Sequence, residues 1–228
     1  MKRLWLDFET RSLANIKNNG VDKYAKDPST KVLMLAWAVE LETPKLWQPH
    51  LEPEMPTELR ALMLNTTVLK CAWNFQFEKH IFEFVLGIPT ELKEWYDPSI
   101  LAAYMSLPIG LGRCGDALEI TGKKIHITGD DRPVKMFSFP KKALKKMLAA
   151  GSPPFYFKDW VSNPAEWEVF CKYCIQDVIS EREIHYDLAA INSPMTEGEI
   201  AAWELDQRMN STGVYIDQPF VTSGKKLA

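Results

Sequence analysis

The stretch Leu4-Trp5-Leu6-Asp7-Phe8-Glu9-Thr10 decides how this chain is read, because it sets two carboxylates two positions apart in an otherwise apolar run. With residues 4–8 read as a strand, alternate side chains share a face. Asp7 and Glu9 then project together while Phe8 enters the core. Like charges side by side in an apolar setting are unfavourable unless a cation lies between them. The pair is also a frequent chance occurrence, so its meaning depends on what the rest of the chain brings beside it.

Outward from it, residues 32–40 (VLMLAWAVE) are apolar enough for a central strand, with residues 45–47 as a hairpin partner. A helix is expected over residues 57–64, entered by Pro56. Residues 67–73 read as another strand, followed by a helix over 77–86 that Gly87 closes. Helices are expected over 99–105 and over 141–150, the second ended by Gly151, with an irregular stretch at 110–140 between them. Asn163-Pro164 opens a long amphipathic helix reaching about residue 190, with Asn163 at the N-cap and Pro164 at N1. After a break at Asn192-Ser193-Pro194, residues 195–210 form one more helix. Strands first, with helices interleaved after them, imply an α/β fold with a mixed central sheet flanked by helices. One domain is expected over residues 1–192 and a short appended part over 193–228.

The 228 residues carry a formal net charge of −3, with 46% hydrophobic and 25% charged residues, ordinary values for a soluble globular protein. No apolar run approaches the roughly 18 residues of a membrane span, and Asp7 follows the start too soon for a secretory leader. A cytoplasmic monomer without membrane contact is expected. Net charge does not advertise a nucleic-acid binder, yet Lys123, Lys124, Lys135, Lys141, Lys142, Lys145 and Lys146 crowd one stretch. They form either a basic binding face or a solvated helix face. Cys171 and Cys174 make a lone CxxC without a second pair at zinc spacing; on a helix that spacing suits two small, reduced core residues.

Two further motifs stand at element ends. Asn74-Phe75-Gln76-Phe77-Glu78 follows the strand at 67–73 directly, where Asn74 is suited to N-cap a helix and Glu78 to sit in its first turn. Tyr173 and Asp177, four apart on the long helix, share a face.

Taken together, DxE on the first strand, NxxxE at a strand-to-helix junction and YxxxD on a late helix resemble the three motifs of the DEDDy exonucleases. These are a DnaQ-like, ribonuclease H-like group that includes the proofreading domains of family A DNA polymerases. The likeness extends beyond the acids. Leu6 to Ser12 (LDFETRS) is similar to the opening of phage family A polymerases, and Trp73 to Lys79 (WNFQFEK) to their second motif. Asp97 to Tyr104 and Tyr173 to Val178 (YCIQDV) match further stretches, and Met209 to Asp217 (MNSTGVYID) resembles the junction leading into the polymerase module. The group usually carries Asp where Glu78 stands, His at position 73 and Thr at position 98.

The resemblance implies a 3′→5′ exonuclease using two Mg²⁺ or Mn²⁺ ions, since paired divalent ions suit phosphodiester hydrolysis and carboxylates suit hard cations. Asp7 would bridge both ions, Glu9 and Asp177 would complete one site, and Glu78 would hold the other. Tyr173 would orient the attacking water. The substrate would be a single-stranded 3′ end of DNA, contacted by Leu13 as a wedge and by Thr10, Asn74 and Phe75. Phe137 and Phe155 are further stacking candidates, and Asp97 would play a supporting part. A polymerase module would be the partner. An RNA-directed exonuclease of the same fold, or an idle structural module of a polymerase, remain the alternatives.

Overall fold

The structure, a computed structural model, describes residues 1–118, 132–149, 151–191 and 195–227. Its central strand is β1 (Lys2–Arg11), in which Leu4, Trp5 and Leu6 are all buried. The run is continuously apolar because both faces of the sheet are covered along β1. β2 (Lys31–Val39) pairs with it antiparallel, and β4 (Val68–Cys71) pairs with it parallel. Outside these lie β3 (Lys45–Trp47), antiparallel to β2, and β5 (Trp95–Tyr96), parallel to β4. Among the described residues this makes a five-stranded mixed sheet in the order β3-β2-β1-β4-β5, flanked by helices. The expected α/β class holds, and the arrangement is compatible with the ribonuclease H-like fold.

Two features of β1 position everything that follows. Its parallel pairing with β4 stops at Trp5 opposite Cys71, so residues 6–11 overhang β4. A register shift between Glu9 and Thr10 then bends the overhang, as bulges do.

The long helix α8 (Pro164–Ile191) packs across β1, β2 and β3. Its buried stripe runs Trp167, Phe170, Cys174, Val178, Glu181, His185 and Leu188, the three-and-four spacing of a core-facing helix. Trp167, Phe170, Cys174 and Val178 join Trp5, Met34, Ala36 and Cys71 in one core cluster. Around this frame stand α1 (Ile16–Lys26), α2 (Thr57–Leu64), α3 (Gln76–His80), α4 (Pro98–Tyr104), α5 (Leu111–Ala117), α6 (Arg132–Phe137) and α7 (Lys145–Ala149). α3 runs into a π-helical turn over Ile81–Val85, in which Leu86 N–H donates to Ile81 O at 3.1 Å. A second unit, Ser193–Ala228, holds α9 (Glu197–Thr212) and α10 (Gln218–Leu227). A reciprocal Thr196–Glu199 capping box opens α9, which buries none of its own residues.

Several expectations need correction. The single helix expected over 77–86 is α3 plus the π turn. Residues 141–150 are not one helix: Lys141–Lys142 form β6, paired with β7 (Phe155–Tyr156), and only Lys145–Ala149 are helical. Asn74 does not cap α3. Phe75 holds that place, while Asn74 sits at φ 62°, a left-handed conformation that Asn tolerates better than most residues. The boundary read at residues 192–194, together with Lys123 and Lys124, lies outside the described residues. The four cysteines are free thiols. Among the described residues no helix is long and apolar enough to cross a membrane.

On β4, Lys70 is fully buried. Its Nζ lies 2.6 Å from Glu94 Oε2 and donates to Asn65 O at 2.9 Å. Removing one partner strands the other charge out of water. Lys70→Met is therefore expected to cost about 3–5 kcal/mol in urea unfolding, and the double variant Lys70→Met/Glu94→Leu to regain most of it. A double variant no better than the single one would contradict that account.

Candidate functional site

The overhanging end of β1 meets α3 and α8. Phe8 packs its ring on Phe82, with centroids 4.8 Å apart, so its neighbours Asp7 and Glu9 take the opposite face. There α8 closes over them, Cys174 Sγ lying 3.4 Å from Asp7 O. Glu78, in the first turn of α3, faces β1, and the Phe8 backbone N–H acts on its carboxyl in the direction that favours the charged form. Tyr173 and Asp177 are half-buried one turn apart on α8, and the tyrosine hydroxyl is hydrogen-bonded to Asp177. Glu9 feels the charges of Asp7, Asp177 and Glu78 together, so acids from three elements share one electrostatic neighbourhood.

A fifth carboxylate belongs to this neighbourhood and was missed from sequence. Glu181 is 1% exposed, one turn beyond Asp177, and interacts with Asp7, Glu78 and Asp177. The available signal was its place in the three-and-four stripe of α8, at a position that otherwise calls for an apolar residue. Its Oε2 accepts the Trp73 backbone N–H at 2.7 Å.

Burial dominates the electrostatics. It pushes the Asp7 carboxyl up to about 7, against a smaller opposing effect of the Cys174 thiol. Burial, then the neighbouring charges, hold Glu9, Glu78 and Glu181 well above the usual carboxylate range. Burial raises the Tyr173 phenol too, followed by the charges of Asp177, Glu9 and Asp7, so it keeps its proton at neutral pH.

Beside the acids opens a pocket of about 480 Å³, lined by Glu9, Thr10, Leu13, Tyr24, Phe77, Ser138 and Phe139 among others. Leu13 lines this pocket and is 51% exposed. Thr10 also lines it, but its hydroxyl is engaged with Tyr24 Oη at 2.7 Å. Asn74 is exposed at the β4–α3 turn. Phe75 and Phe137, by contrast, are buried, the first against Trp95 and the second against Phe170, so neither offers a face to a ligand. Phe155 is exposed on β7. Phe139, which sequence reasoning passed over, is the exposed aromatic residue at the pocket. Asp97 supports the site from behind, its Oδ1 accepting from Asn74 N at 3.0 Å and from Ser99 N at 2.9 Å, the latter capping α4.

The donor set suits a hard divalent cation: it is all carboxylate, and Asp7 Oδ2 and Glu78 Oε2 are buried without a hydrogen-bond partner. Such oxygens call for a compensating group. Among the described residues no three His, Cys, Asp or Glu side chains already surround one ion position. The fit to a cation therefore rests on donor chemistry and on these orphaned oxygens.

No protein-family model matches the chain. A DNA polymerase of Bacillus phage SP02 is 29% identical to it over 221 residues, which are 97% of this chain and 33% of that polymerase. The chain thus spans about a third of the length of the curated relative it matches. The likeness supports a polymerase-related domain.

The raised carboxyls fix a sign for the pH dependence of stability. Their folded-state values exceed the unfolded ones, so the stability they contribute is complete below about pH 4 and is lost as pH rises through about 7. His185, lowered to about 4 by burial, works the other way, losing stability as pH falls from about 6.5. Four carboxyls outweigh one imidazole. In chelator, the urea midpoint should be higher near pH 5 than near pH 8, and Asp7→Asn should flatten that slope and raise the midpoint at about pH 8. An unchanged slope in Asp7→Asn would remove Asp7 from the explanation.

Proposed function

We propose that residues 1–192 form a 3′→5′ exonuclease that removes nucleotides from single-stranded or frayed DNA 3′ ends as 5′-monophosphates, the proofreading companion of a polymerase module. The observation that carries this reading is the meeting of Asp7 and Glu9 from β1, Glu78 from α3 and Asp177 from α8 beside the Tyr173 hydroxyl. The likeness to a phage DNA polymerase supports DNA as the substrate.

Two Mg²⁺ or Mn²⁺ ions, when bound, would neutralise phosphate charge, acidify water and stabilise the departing 3′ oxygen. Asp7, Glu9, Asp177 and Glu78 would hold them. The protein's own residues do the rest. Tyr173 keeps its proton, so it orients the attacking water by hydrogen bonding and does not act as the base. Leu13 and Phe139 hold the terminal base in the pocket next to Glu9, where stacking tolerates any sequence. Glu78, in the first turn of α3, supplies the α3 side of the site.

Digestion of 5′-labelled single-stranded DNA in Mn²⁺ should give a ladder shortening from the 3′ end that chelator abolishes, and Asp7→Ala or Asp177→Ala should slow it by at least about 10²–10³-fold. Equal digestion by Asp7→Ala would place the site elsewhere, and faster digestion of an RNA oligonucleotide would favour an RNA-directed enzyme. Phe139→Ala should lower kcat/KM on the same substrate by about 5- to 150-fold, the equivalent of one lost base stack at ~1–3 kcal/mol.

A further inference from the structure

The β4–α3 turn carries Asn74 and, one helical turn on, Glu78. Its two successive backbone N–H groups are each held by a buried carboxylate. Trp73 N–H donates to Glu181 Oε2 at 2.7 Å, and Asn74 N–H donates to Asp97 Oδ1 at 3.0 Å. One carboxylate comes from α8 and the other from the start of α4. Between the two clamped amides and α3 the backbone passes through Asn74 at φ 62°, a conformation that surrounding contacts must hold in place.

Packing does not explain a glutamate at position 181. The stripe that contains it is filled by Val178, Ile184 and Leu188 nearby, and an aliphatic residue there would avoid burying a carboxyl group, losing only the acceptor of the Trp73 N–H. Its second oxygen, Oε1, is buried with no hydrogen-bond partner, beside Asp7, Glu78 and Asp177. A carboxylate kept in such a place, with one oxygen committed to a neighbouring turn, is retained for what that oxygen holds.

We propose that Glu181 is a positioning residue: by fixing the Trp73 N–H to α8, which also bears Tyr173 and Asp177, it sets the orientation in which the turn and α3 present Glu78 to the acid cluster. Turnover then depends on the acceptor at position 181, while affinity for the DNA end, supplied by the pocket, does not. The consequence for turnover rests on the exonuclease reading; the clamp itself does not.

The test uses the full chain with Glu181→Met, which keeps length but offers no oxygen, and Glu181→Gln, which keeps an acceptor without charge. Should the methionine variant fail to fold by circular dichroism, Glu181→Leu takes its place. Backbone amide exchange of Trp73, read by NMR without metal, should accelerate at least about tenfold in Glu181→Met and stay near wild type in Glu181→Gln. On single-stranded DNA with Mn²⁺, kcat should fall about 10- to 100-fold in Glu181→Met with KM within about threefold, and Glu181→Gln should restore it. Unchanged exchange in Glu181→Met overturns the proposal. So does a glutamine variant as slow as the methionine one, since charge and not geometry would then matter. If wild type removes no nucleotides while the exchange pattern holds, the exonuclease reading fails and the clamp stands. If wild type is active and Glu181→Met has the same kcat, the positioning role fails and the exonuclease reading stands.

Discussion

Holding several carboxylates together away from water is the constraint around which this domain is arranged. Asp7 and Glu9 sit near the middle of a sheet, and Glu78 and Glu181 are drawn in against them. Each such group costs free energy by desolvation, and their mutual repulsion adds to it. The surrounding structure offsets part of that cost with directed donors: the Trp73 N–H for Glu181, and the Asn74 and Ser99 N–H groups for Asp97. It leaves Asp7 Oδ2 and Glu78 Oε2 unanswered. A fold selected for stability alone would have placed aliphatic residues at these positions.

The overhang of β1 makes this possible. Because β4 leaves the sheet opposite Trp5, the backbone of residues 6–11 is free on that edge to be met by side chains. The bulge after Glu9 then turns Thr10 and Leu13 toward the pocket wall, so strand, turn and pocket form one continuous surface beside the acids. Similarity to part of a phage DNA polymerase extends over nearly all of this chain.

Much of this was legible in the sequence where periodicity and length were unambiguous. β2, β3, α2 and α8 fall within a residue or two of their expected limits, since long apolar runs and a Pro-led helix leave few alternatives. The Asp7, Glu9, Glu78, Tyr173 and Asp177 motifs stood out because they fall on clear elements, although Asp7 and Glu9 lie inside β1 and Tyr173 and Asp177 in mid-α8 instead of at element ends. What was not legible depends on distant partners. Lys141–Lys142 become a strand only because Phe155–Tyr156 lies alongside. The helix α1 is polar and broken by Gly20 at φ 75°, which removes its periodic signal. Phe75 looks like a stacking group until the fold packs it against Trp95. Glu181 reads as an ordinary helix-surface acid unless the stripe of α8 is laid out in full.

The π turn at Ile81–Val85 has a consequence for how this chain tolerates change in length. A π turn is an α-helix with one residue too many, and that surplus sets the direction in which the chain departs toward Gly87 and Ile88. Ile88 is buried and its N–H donates to Phe82 O at 2.8 Å. Deleting a single residue from this segment would restore regular helix locally, yet rotate the departing chain by about 100° about the axis. Ile88 would leave the core, and Phe82, the residue that backs Phe8 behind the acids, would lose its neighbour. The segment is thus tuned in residue count as well as in residue type.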